Sequence, residues 1–264
     1  MFALWIALAC AQPTEATEES QGLSEVTSLT ESPPEIRAVT TVGEAFPPPH
    51  GAERVKGDAF GDWLGHLTLA ASDAPVRTYE GATVGHRARV IEFGLVDGDL
   101  QQCADTAIRA RAEWLKEKGL PISFHATSGD PMPYSRWLNG EHPYASGQKL
   151  AWKRGKVGSW EGYLSAVFMY AGTRSLDKDT VAATVPLPGD IVVVPGSPGH
   201  AVLLLDVAKK GEQTYVLVGE GYMPAQQFHV ELGPDDGWWP WGPGIELDHW
   251  SMPASGLRRW KAVE

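Results

Sequence analysis

The chain has 264 residues, 43% hydrophobic and 21% charged, enough to bury one sizeable core and not comfortably two. Its formal net charge is -11, and residues 11–50 hold Glu15, Glu18, Glu19, Glu25, Glu31, Glu35 and Glu44 against a single base, Arg37. More than half the excess therefore sits in that stretch, and the mildly acidic remainder has no basic stripe. Nucleic acid is excluded as a partner, because phosphate binding demands clustered Lys and Arg.

Residues 1–9 read MFALWIALA, too short to cross a bilayer as a helix and the size of a signal-peptide hydrophobic region. The run closes in Ala7-Leu8-Ala9-Cys10, which resembles a bacterial lipobox. That resemblance implies diacylation of Cys10 and a membrane-held protein in the cell envelope. Ala11, where Asp would retain a lipoprotein in the inner membrane, implies the outer membrane, facing the periplasm or the surface. A plain cleaved signal or a buried apolar N-terminus is the other reading. Residues 12–50 are rich in Glu, Thr, Ser and Pro, end in Pro47-Pro48-Pro49, and cannot bury enough surface to fold. The expected organisation is a leader over 1–10, a disordered linker over 11–55 and one globular domain over 56–264.

Within the domain, residues 86–95 (HRARVIEFGL) alternate as a strand does and run into the turn Val96-Asp97-Gly98. A helix follows, with Asp99 as N-cap, Gln102 three residues later and an apolar face of Leu100, Ala104, Ala107, Ile108, Trp114 and Leu115; Gly119 and Pro121 end it. A second helix starts from Ser159 through WEGYLSAVFMYAG. Four strands are then expected at 191–194, 201–206, 214–218 and 226–230, separated by Gly and Pro turns. The sum is an α+β domain with an early helix packed on a late antiparallel sheet.

With Cys10 lipidated or removed, Cys103 is left in an oxidising compartment without a disulfide partner. It falls in the first turn of the early helix, where the macrodipole favours thiolate. A cysteine nucleophile needs a base and a group that orients the base. His200, between the PGSPG turn and AVLLLD, is the candidate base, and Glu220, at the end of the following strand, would lie beside it in an antiparallel pair. Gln102, or the free N–H groups at the helix start, would face a tetrahedral oxyanion. Gly199 and Tyr222 are the candidate substrate contacts.

A cysteine opening a helix, Pro188-Gly189-Asp190 leading into IVVV, and Gly199-His200 leading into AVLLLD resemble the core of the NlpC/P60 and CHAP papain-like cell-wall peptidases over residues 99–222. Gln102 and the GEGY around Glu220 are similar to CHAP members in particular, although Cys-Ala-Asp stands where the best-defined members have Asp-Cys-Ser-Gly or Cys-Thr-Trp. The resemblance implies a papain-like fold, Cys103, His200 and Glu220 as the catalytic set, and peptidoglycan stem peptide as substrate. Over the whole domain, the segments GDWLGHL, DLQQCADTAIRARAEWL, FHATSG, VFMYAGTRSL, PGHAVLLLD and YMPAQQFHV resemble the bacterial family called domain of unknown function 4846. That second resemblance implies Gln where this chain has Glu220, and it adds no chemistry.

Each residue also has a plainer reading. Cys103 fits a small core hydrophobe, His200 a satisfied core histidine, Glu220 an exposed loop residue and Tyr222 a packing residue. A metal site drawn from Asp190, His200, Asp206 and His229 matches no recognised ligand spacing, so neither metal nor cofactor is expected. Ser128 reads as a turn residue, and Trp238, Trp239 and Trp241 as packing of a sheet edge rather than a sugar-binding face. The expected function is an exported lipoprotein carrying a cysteine amidase or endopeptidase domain, with cell-wall peptide or glycan and the membrane as its partners. A non-catalytic envelope binding or scaffold protein and a thiol acyltransferase are the alternatives.

Overall fold

The protein is described by a computed structural model over residues 40–85 and 87–263. The leader, Cys10, most of the acidic linker and His86 lie outside the described residues.

Three helices matter for the site: α1 (Ala59–Gly65), α2 (Cys103–Glu117) and α3 (Trp160–Tyr170). Asp58 caps α1 by accepting from the Phe60 and Gly61 amides, and Ser159 caps α3 by accepting from Gly162 N–H at 3.0 Å. Gly119, with φ of +65°, follows the end of α2 in the left-handed conformation that stops helices at little cost to glycine.

The strands are β1 (Ala88–Val90), β2 (Thr180–Ala182), β3 (Ile191–Val194), β4 (His200–Lys210), β5 (Gln213–Glu220), β6 (His229–Glu231), β7 (Trp239–Trp241) and β8 (Leu257–Trp260). They form a sheet in the order β2-β8-β3-β4-β5-β6-β1, every neighbour antiparallel, with β7 also on β5 and the short strand Glu53–Arg54 on β4. The fold is thus α+β on an antiparallel sheet. The central hairpin turns through Gly211 and Glu212, with Gly211 at φ of +57°, so the turn's twist matches that of β4 and β5.

Two cores sandwich the sheet. On one face α1, α2 and α3 bury Phe60, Leu64, Ala104, Ile108 and Leu164 against Ile191, Ala201, Leu203 and Leu205. On the other, Val192, Val202, Leu204 and Val218 meet Ile245, Leu247, Met252 and Leu257. Strands β3 and β4 are therefore covered on both faces, which explains why IVVV and AVLLL are continuous apolar runs without alternation. Each such Val or Leu contributes about 1.5–3 kcal/mol by leaving water.

The structure redraws several expected boundaries. The strand expected over 86–95 reduces to Ala88–Val90, followed by a single bridge between Leu69 and Ile91. The early helix starts at Cys103 with Gln102 at its cap, because Asp99 is committed elsewhere. Both central strands run longer than their apolar runs, since backbone pairing continues into polar residues. Part of the Pro-rich stretch packs on the domain as well: Val42 and Phe46 are buried in the helical-face core, and Arg54 pairs with Asp206 at 2.6 Å.

Candidate active site

The start of α2 is fixed from three sides. Gln102 donates its backbone N–H to Asp105 Oδ2 at 3.2 Å and its side-chain Nε2–H to Asp99 Oδ1 at 3.1 Å. Asp99 Oδ1 also accepts from Ala225 N–H at 2.6 Å, which ties the helix start to the segment following β5. There Gly221 lies so close to α2 that a Cβ would run into Thr106 Oγ1, so the approach requires glycine.

This wedge enters where β4 and β5 part, beyond their outermost paired residues, Leu203 and Gly219. Leu204 spends its backbone groups on Gly189 and Asp190, so the neighbouring odd-numbered residues turn theirs toward β5. At Gly199 and Ala201 no β5 residue remains to meet them, and Cys103 takes the place. Its thiol donates to Gly199 O at 4.0 Å, and the sulfur accepts from Ala201 N–H.

His200 lies between those two contacts and points its ring to the second face, in step with Val202 and Leu204. The ring is fully buried against Tyr222, His249 and Trp250, at centroid distances of 5.3, 5.6 and 5.2 Å. Glu220, also buried, shares that face. Its Oε2 is 3.4 Å from His200 Nε2, and its Oε1 is 2.8 Å from His249 Nε2. Burial pushes the Glu220 carboxyl up, but contacts with His200 and His249 and the charges of His200 and His229 outweigh it and hold it down to about 2. Contact with Glu220, offset by burial, raises His249.

Cys103 behaves differently from the expectation for a helix start. Burial, with the charges of Asp105 and Glu220, pushes its thiol up to about 11 despite the amides of Ala201 and Ala104. No hydrogen bond joins it to the His200 ring, whose two nitrogens complete none. The resting state is a neutral, buried thiol held by the backbone of residues 199 and 201. Native-state iodoacetamide labelling of Cys103 at pH 7 is expected to run about 10²-fold slower than that of an ordinary thiol and to climb toward pH 11. A plateau extending below pH 8 would contradict this.

Cys103 opens on a cleft of about 350 Å³ between the start of α2, the end of α3 and the turn before β4, lined also by Asp99, Gln102, Thr173, Gly199 and Met223. The fold thus brings together Cys103, Gln102 and Gly199 at the cleft, and His200, Glu220 and Tyr222 beneath it. Asp190 and Asp206 do not join them: each is held by an arginine, Arg259 and Arg54 respectively. Ser128 donates to Asp130 in a turn, while Trp238 and Trp239 donate to Pro47 O and Glu231 O as packing residues.

His249, Trp250 and Asp105 are the site residues that sequence reasoning missed. His249 and Trp250 come from a loop beyond the sheet strands, in Asp248-His249-Trp250, with no periodicity or spacing to link them to His200. Asp105 had a signal: an acidic residue three positions after Gln102, where the side chain of a helix's first turn reaches back to the cap N–H.

These features define an α+β domain with a cysteine at a helix start and a His–Glu–His cluster behind it, two of whose members are buried. The chain belongs to the family described as Domain of unknown function (4846), whose family model matches residues 42–259. No curated protein and no solved structure matches it.

Proposed function

We propose that the protein is an exported, lipid-anchored cysteine hydrolase of papain-like architecture, an amidase or endopeptidase acting on cell-envelope peptide such as peptidoglycan stem peptide. The observation that carries this reading is the fork of β4 and β5, where Cys103 meets the cleft while touching the backbone on both sides of His200, which Glu220 backs at 3.4 Å. Because the thiol rests neutral, His200 acts as a general base and not as half of a standing ion pair. In this reading the His200 ring turns from the second face toward the sulfur, Nδ1 takes the thiol proton as the sulfur attacks the amide carbonyl, and the Glu220 carboxylate stabilises the imidazolium. That proton then goes to the leaving amine as the C–N bond breaks. Water, deprotonated by His200, hydrolyses the thioester and restores the thiol. Amides of the first turn of α2 stand at the cleft to receive the oxyanion.

The test is product analysis after incubation with muropeptides. Wild type is expected to cleave them, and Cys103→Ser and His200→Ala each to lower the rate on the order of 10³-fold. Muropeptides bound equally by wild type and Cys103→Ser, and cleaved by neither, would leave the second reading, a non-catalytic envelope binding lipoprotein. The raised thiol, in a residue only 6% exposed, favours that alternative.

A further inference from the structure

We propose that His200, Glu220 and His249 form a binding site for one zinc-class divalent ion, coordinated through His200 Nε2, His249 Nε2 and a Glu220 carboxylate oxygen. Tetrahedral bonds of about 2.1 Å place ligand atoms about 3.4 Å apart. His200 Nε2 and Glu220 Oε2 stand at that separation, His249 Nε2 is 2.8 Å from the other carboxylate oxygen, and the three ligand atoms all lie within 4.8 Å of one another.

The hydrogen bonding points the same way. Both nitrogens of His200 and both oxygens of Glu220 are buried, yet none completes a directed hydrogen bond at these short separations. Leaving such groups unsatisfied costs about 1–3 kcal/mol each. Short distances with misdirected bonds are what ligands around a common ion show, and not what a hydrogen-bonded triad shows.

The donor set selects the ion. Two imidazoles and one carboxylate suit zinc, cobalt or nickel, whereas calcium and magnesium take oxygen ligands. The His249 side chain is 27% exposed, so solvent reaches the site from that side and supplies a water as fourth ligand. Tyr222 packs edge-on to both rings, at 5.3 and 4.6 Å, and holds their orientation.

Ion binding is independent of the hydrolase reading; its consequence rests on that reading. An ion on Nε2 leaves the imidazole proton on Nδ1, where it cannot accept from the thiol. The loaded form is then the inactive one.

The experiment is titration of the chelator-treated, full-length protein with Zn²⁺ by calorimetry and with Co²⁺ by visible spectroscopy. The expected result is one ion per chain, with d–d bands of low-symmetry cobalt and no thiolate charge-transfer band. Cys103→Ser should bind unchanged, and His249→Ala, at a partly exposed position, should fold normally and bind about 10²-fold more weakly. Absence of saturable binding at millimolar ion, a thiolate band lost in Cys103→Ser, or unchanged binding by His249→Ala would each overturn the site. Muropeptide cleavage that fails while Co²⁺ still binds would remove the hydrolase reading alone.

Discussion

Asp105→Asn is expected to stabilise the domain at pH 7 by about 3–5 kcal/mol and to flatten its loss of stability between pH 4 and 8. Burial raises the Asp105 carboxyl from 3.8 to about 8, against the opposing pull of the amides of Gln102 and of Asp105 itself. The folded state therefore retains a proton that the unfolded chain releases above pH 3.8, and stability falls as pH rises until the folded group also ionises near 8. Asparagine keeps the acceptor for Gln102 N–H and has no proton to lose. Its amide carries two N–H donors where the protonated acid carries one O–H, and the extra buried donor takes back about 1 kcal/mol of the gain. Urea unfolding of both proteins across pH 4–9 measures the difference. Curves that stay parallel would mean Asp105 is ionised when folded. Above pH 8, where Asp105 is ionised, the same variant should label faster at Cys103, because the Asp105 charge then helps hold that thiol up.

Glu220→Gln has the opposite sign. The wild-type carboxyl is depressed from 4.5 to about 2, so its contribution, about 3 kcal/mol, is fully present above pH 4.5 and is lost as pH falls through 2. His249 is raised from 6.5, so its part is fully present below pH 6.5 and fades as pH rises through its folded value. The pair stabilises most between pH 4.5 and 6.5. Glutamine preserves the shape of the side chain but removes the carboxylate charge that faces His249 at 2.8 Å, the usual reason why breaking a buried pair is expensive. Chemical unfolding at pH 5.5 should show the full deficit, shrinking below pH 4.5. A deficit constant down to pH 3 would place the loss in packing rather than charge. Glutamine is also the residue the family resemblance implies at this position, so the variant tests whether the acid is particular to this chain's cluster.

The two variants separate the halves of the site. Asp105 lies on the cleft side with Cys103, and Glu220 lies under the sheet with both histidines. The backbone of β4 at residues 199–201 is the physical link between them, contacting the sulfur at its edge and carrying the ring of His200 on its second face.

Patterning in the sequence determined the elements. Apolar spacing and the Gly119 stop made α2 legible almost to its ends, Ser159 placed α3 correctly, and the Gly and Pro turns around IVVV and AVLLLD marked the central strands. Cys103, His200 and Glu220 were legible because each falls at an element end, where local chemistry constrains what the residue can be. The tertiary structure alone decided the rest. Whether Cys103 is thiol or thiolate depends on burial and on charges brought from other elements, and these outweigh the helix start that sequence shows. The first residue of α2 moved because Asp99 bonds Ala225, a partner far along the chain. His249 reached Glu220 through a loop whose path no periodicity encodes. Local patterns are written in nearest neighbours, while electrostatics and ligand sets belong to groups that only folding brings within a few ångströms.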